Sequence, residues 1–165
     1  MNKTQKGFTL VELLVAIGII GILATVITIS VTQVRARGRD TKRMSDINVI
    51  KKGLEAYAAQ RNGYPGVDQE VEIGKSTAMT LCDVPTGFVA KEADCTGATY
   101  IKQLPEDQKP NYKGYKYISK GDEGATCAAA DGPCTSYELS FWLEKGAQGY
   151  PAKQKIIVKP GPSNQ

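Results

Sequence analysis

The chain has 165 residues, with 21 Lys and Arg against 17 Asp and Glu, no histidine, four cysteines and a net charge of +4. That length allows one small domain beside any membrane segment. The missing histidine removes the commonest general base and metal ligand, and so small a charge attracts nucleic acid only weakly.

Residues 1–7 form a short leader whose only charges are Lys3 and Lys6. From Leu13 to Val34 no residue is charged, and Leu, Ile, Val and Ala dominate. Such a run covers roughly 33 Å as a helix, enough for a hydrocarbon core of about 30 Å. It is longer than a secretory h-region and ends at no small-residue cleavage site, so it is expected to stay on the mature protein. Glu12 lies inside the apolar stretch, one turn past Phe8. A carboxylate there is costly unless it snorkels to water or meets a positive partner, and intramembrane acids are by default candidates for function.

Lys6-Gly7-Phe8-Thr9-Leu10-Val11-Glu12-Leu13-Leu14 resembles the class III signal of type IV pilins and their relatives. The resemblance implies that a membrane-embedded aspartyl peptidase cuts between Gly7 and Phe8 and N-methylates the new amine of Phe8. It also implies that Glu12 pairs with the N-terminal amine of a neighbouring subunit during filament assembly. Two lone charges in a low-dielectric medium gain most by meeting, which gives that role a physical basis. Many pilins carry a proline near the middle of this segment. Here only Gly18 and Gly21 could loosen the helix.

Past the span the pattern turns amphipathic. Met44, Ile47, Ile50, Leu54, Tyr57 and Ala58 recur at three and four, with Arg43, Asp46, Lys51, Lys52 and Glu55 on the remaining faces. One helix from Phe8 to Arg61 is expected, with 8–34 as the membrane or filament-core half and 35–61 as the amphipathic half. Asn62-Gly63 followed by Tyr64-Pro65 should stop it. The stretch from Arg37 to Ile47, with Leu54-Glu55-Ala56-Tyr57 and Gly63-Tyr64-Pro65, is also similar to the second half of the helix in a common bacterial pilin branch.

Residues 62–159 make up the expected head. Gly66 to Thr99 shows little periodicity and reads as a variable loop region with a short helix at Ser76 to Leu81. Tyr115 to Lys120, Tyr137 to Leu143 and Gln154 to Lys159 alternate as strands. The fold class is therefore α+β: a long N-terminal helix with a small antiparallel sheet packed on its distal half. Residues 160–165 read as a frayed tail.

Cys82, Cys95, Cys127 and Cys134 all follow the helix, without a C-x-x-C pair. Disulfides in an oxidising compartment explain them better than a four-thiolate zinc site. Of three possible connectivities, Cys82 with Cys95 and Cys127 with Cys134 closes the smallest loops and is expected. This puts the head outside and the N-terminus in the cytoplasm. The charge rule says the opposite, since Arg35, Arg37, Arg39, Lys42 and Arg43 follow the span against Lys3 and Lys6 before it. The cysteines overrule it here.

Other motifs carry less. Gly74-Lys75-Ser76 lacks the earlier glycine and buried strand of a phosphate loop. Asn2-Lys3-Thr4 is a glycosylation match inside the leader. Asp122, Glu123 and Asp131 lack the spacing of a calcium loop, so no metal or other cofactor is expected. Lys113, Tyr115 and Lys116 belong to a Lys/Tyr stretch from Lys109 to Lys120 that could touch DNA weakly. The same alternation suits a half-buried strand, which is the preferred reading. No nucleophile elbow or placed carboxylate pair supports catalysis.

The expected function is a major type IV pilin: a membrane precursor, then an extracellular homopolymeric filament for adhesion, motility or DNA uptake. Its partners would be the prepilin peptidase, an inner-membrane platform and a cytoplasmic assembly ATPase. The alternatives are a type II secretion pseudopilin, a minor or competence pilin, or a monomeric membrane-tethered binding protein. The major pseudopilin usually has a calcium-binding C-terminal loop, and that loop is not recognisable in this sequence.

Overall fold

A computed structural model describes residues 7–108 and 113–160, apart from the side chains of 26–30. Helix α1 runs unbroken over Leu10–Arg61, 52 residues, or roughly 78 Å at helical rise. It ends where the sequence signals, with Asn62 in the left-handed region (φ 56°, ψ 32°). Gly63 is required next. A Cβ there would lie 2.6 Å from Pro133 Cβ and 2.9 Å from the Cys134 carbonyl, because Tyr64 and Cys134 exchange backbone hydrogen bonds at 2.8 and 3.2 Å.

Among the described residues seven strands follow: β1 (Val71–Ile73), β2 (Thr80–Cys82), β3 (Phe88–Val89), β4 (Thr99–Ile101), β5 (Tyr115–Lys120), β6 (Ser136–Trp142) and β7 (Lys155–Val158). They form a four-stranded antiparallel sheet, β1-β5-β6-β7, and a three-stranded antiparallel sheet, β3-β2-β4. The three strands expected after residue 114 are β5, β6 and β7. Between Gly66 and Thr99 the expectation fails, because four strands occupy or adjoin that stretch and the helix at Ser76 to Leu81 is absent. In its place the chain turns tightly, with Gly74 N donating to the Ala78 carbonyl at 2.8 Å and Ala78 N to that of Lys75 at 2.9 Å. It then enters β2, all three of whose residues are buried. Strands of two or three residues are too short for a period to show in sequence.

The core lies between the distal half of α1 and the larger sheet. Met44, Ile47, Ile50, Leu54 and Tyr57 meet Ile73, Tyr115, Tyr117, Tyr137, Leu139, Phe141, Leu143 and Ile156. Along β5 every second residue is buried, which places Tyr115 and Tyr117 inside and Lys116 and Lys120 toward water. Buried tyrosines need partners for their hydroxyls. Tyr117 donates to the Pro65 carbonyl at 2.7 Å, and Tyr57 to that of Val84 at 2.8 Å. Both expected disulfides are formed, Cys82–Cys95 and Cys127–Cys134. The first ties the end of β2 to the connection before β4, and the second closes the connection between β5 and β6.

Candidate assembly site

The N-terminal end of α1 stands clear of the head. Phe8 is 88% exposed, and every residue from Leu10 to Thr25 is exposed. An apolar helix bare on all sides needs lipid or protein around it. Among the described residues no helix is long and apolar enough to cross a membrane. The expected span 13–34 includes residues 26–30, whose side chains lie outside the described set.

Thr9 and Glu12 build the first turn together. Thr9 is the N-cap; its Oγ1 accepts from Glu12 N at 3.3 Å, and its own N–H and hydroxyl both donate to Glu12 Oε2 at 2.8 Å. This is a capping box, Thr-x-x-Glu, which satisfies N–H groups that the first helical turn leaves free. It also sets a carboxylate at the positive end of the helix dipole. The sequence signal for it was present, and Thr9 is the functional residue that a reading centred on Glu12 alone passes over.

Gly7 precedes the helix outside any helix or strand, directly before exposed Phe8, so the expected cleavage bond lies outside regular structure. Gly18 and Gly21 lie within continuous helix, with open space where a Cβ would stand. The expected DNA-contact residues do not come together. Tyr115 is 1% exposed and donates its hydroxyl to Asp46 Oδ2 at 2.9 Å, so it has no free ring face for a base. Lys116 Nζ lies 2.6 Å from Glu70 Oε1, and Lys113 Nζ sits 5.0 Å from the Trp142 ring centroid. Lys109 and Tyr112 lie outside the described residues, as do 1–6 and 161–165.

Arg43 and Asp46, expected on the faces of α1 away from the apolar residues, are both buried. Arg43 is gathered in by Asp40, Asp107 and Glu144. Burial works against its charge, but these carboxylates outweigh burial and raise its pKa well above the ordinary value. The available signal was the spacing of Asp40, Arg43, Met44 and Ile47, which shares the face of the apolar residues.

The family described as the prokaryotic N-terminal methylation motif matches residues 2–28. The chain is 31% identical to type II secretion system core protein G of Escherichia coli K12 over 129 residues, covering 78% of this chain and 82% of that protein. The chain belongs to the core protein G family. Its core protein G relatives include that of Vibrio cholerae, 32% identical over 74% of this chain and 76% of the relative. Another is that of Pseudomonas aeruginosa, 30% identical over 74% and 80%. No solved structure matches. Core protein G is a pseudopilin, so the resemblance to the type IV pilin-like family holds. Within that family the relatives favour the secretion pseudopilin over the major pilus subunit. The methylation motif, the capping box and the bare part of α1 lie in the same N-terminal stretch.

Proposed function

We propose that the chain is a pseudopilus subunit of a type II secretion system. It is made as a membrane-anchored precursor, cut after Gly7, N-methylated on Phe8 and polymerised through the apolar half of α1 in the periplasm. The observation that carries this reading is Glu12 in the first turn of an exposed apolar helix, one turn beyond the Gly7-Phe8 bond, in a core protein G chain. The uncharged run from Leu13 to Val34 supports the anchor, and two disulfides suit an oxidising compartment.

The assembly chemistry follows from the charges. Cleavage turns Phe8 into a positive terminus, and Glu12 of a neighbouring subunit is the acid in the apolar segment able to meet it. Helices then bundle: apolar surface that would otherwise meet water gains about 25 cal/mol per Å² on burial, and surface coming from lipid gains from close packing instead. Head-to-tail contacts of this kind do not close, so they build a fibre. The partners are further copies of the chain, a prepilin peptidase, an inner-membrane platform and a cytoplasmic ATPase that supplies the work.

Expressing Glu12→Ala in a secreting host, with electron microscopy of sheared fibres and N-terminal mass analysis, tests the reading. The variant should remain in the membrane, cut and methylated, while fibres are lost. Normal fibres from Glu12→Ala would sink the docking role. A Gly7→Asp chain should stay uncut, and a mass beginning at Phe8 from that variant would show that cleavage does not need Gly7; a parent chain beginning anywhere other than Phe8 would remove the proposed cleavage site.

A further inference from the structure

Arg43 is 2% exposed, and the carboxylates of Asp40, Asp107 and Glu144 surround its guanidinium. Its Nε donates to Asp107 Oδ2 at 2.7 Å and its Nη2 to Asp107 Oδ1 at 2.9 Å. Its Nη1 is shared between Asp40 Oδ1 at 2.8 Å and Glu144 Oε1 at 3.0 Å. Asp40, itself fully buried, also accepts the backbone N–H groups of Glu144 at 2.8 Å and Lys145 at 2.7 Å. Arg39 adds a two-pronged grip on Glu144, at 2.7 and 2.8 Å. One turn of α1 is thereby tied to two distant segments: the connection holding Asp107, and the start of the β6–β7 connection. That second connection is closed further on by Lys153 N donating to the Leu143 carbonyl at 2.7 Å.

The pseudopilin resemblance implies a calcium ion in a C-terminal loop, and the residues here do not fit one. Calcium takes six to eight oxygens at about 2.3–2.6 Å. From Leu143 to Gln154 the sequence holds a single acid, Glu144, alongside Lys145 and Lys153. Both Glu144 oxygens take guanidinium N–H groups, both Asp107 oxygens take Arg43, and both Asp40 oxygens take backbone N–H groups. A divalent ion in that cluster would have to displace these donors while standing beside a buried guanidinium of the same sign. Among the described residues no acid cluster is arranged to hold a metal.

We propose that Arg43 is the built-in cation of this head: with Asp40 as anchor it fastens the β6–β7 connection to α1, and the connection keeps its shape without calcium. Two guanidinium groups, Arg39 and Arg43, balance most of the charge of Asp40, Asp107 and Glu144, as an ion would. The proposal goes beyond the assembly reading and stands whether or not the chain polymerises.

Hydrogen exchange and thermal melting of the full chain in detergent micelles, with calcium and with a calcium chelator, test it. Exchange at the Glu144 and Lys145 amides should agree within twofold in the two conditions, and the melting midpoint should be unchanged. In Asp40→Asn those amides should exchange at least tenfold faster, with β5 and β6 amides within twofold of the parent. Glu144→Gln, which loosens the same connection without touching the buried anchor, should speed the Lys145 amide at least threefold. A chelator that lowers the midpoint or speeds these amides, reversed by added calcium, overturns the proposal. So do loop amides unchanged in both variants. Failure of fibre assembly leaves all these readouts unaffected, so the two readings fail separately.

Discussion

Glu12 faces two demands on one carboxylate. In the single subunit it closes the first turn of α1 against Thr9, and in the proposed fibre it meets the amine of a neighbour's Phe8. These are compatible, because a carboxylate has about four lone-pair sites and Thr9 uses one oxygen of the two. The cap also holds the side chain in one place before any partner arrives. Tyr115 shows the opposite kind of surprise, for its aromatic ring and neighbouring lysines look like a nucleic-acid surface in sequence and its hydroxyl is spent inside on Asp46. Tyr115→Phe removes a donor to a buried charged acceptor, a change worth about 1.5–3 kcal/mol. Urea unfolding of the head should show that loss, and a midpoint equal to the parent's would mean that Lys42, 2.9 Å from Asp46, supports the acid alone.

At the level of elements, α1 was readable from end to end because its signals repeat: an apolar run, then a three-and-four pattern, then Asn62-Gly63. The larger sheet was readable where strands were long enough to alternate. The smaller sheet was not, since β2, β3 and β4 have three, two and three residues, and what they pack on lies elsewhere in the chain: Phe88 on Tyr117 of the larger sheet, and Leu81 and Ile101 against α1 at Gly53. Gly53 marks that contact. A Cβ on it would stand 2.4 Å from Ile101 Cδ1 and 3.0 Å from Leu81 Cδ2. Helix propensity alone favours Gly53→Ala by about 1 kcal/mol, whereas overpacking costs about 1–3 kcal/mol. The crowding atoms are the side-chain ends of Ile101 and, behind it, Leu81, so the overpacking exceeds the gain in propensity and the substitution should destabilise the head by about 1 kcal/mol, seen as a lower melting midpoint. A midpoint above the parent's would show that the side chains of β4 move aside freely.

For the whole molecule, the head is tyrosine-rich inside, and that sets its response to base. Tyr115, Tyr117 and Tyr137 all have raised pKa values: burial is the main cause in each, joined by Asp46 beside Tyr115, Tyr137 beside Tyr117 and Tyr64 beside Tyr137. A phenol whose folded pKa is raised contributes nothing pH-dependent below its unfolded value near about 10. Above it the unfolded chain loses protons that the folded chain keeps, so stability falls with pH. With three such groups the slope approaches about 4 kcal/mol per pH unit. Absorbance at the tyrosinate band should therefore show these rings ionising together with unfolding, in one cooperative step above about pH 10. Gradual ionisation of all tyrosines in a still-folded head would contradict the buried arrangement.

The N-terminal signal, the single long helix, the three longer strands and the local cysteine pairs are legible in the chain, because each is encoded by residues near one another. What Arg43, Asp46 and Tyr115 do emerges only in the fold. Their polar ends look solvent-bound in one dimension, and they are buried because Asp107 and Glu144 on one side and Asp46 on the other arrive from 64, 101 and 69 residues away to meet them. A charge can leave water when such partners replace its hydration, and no local pattern announces partners so distant.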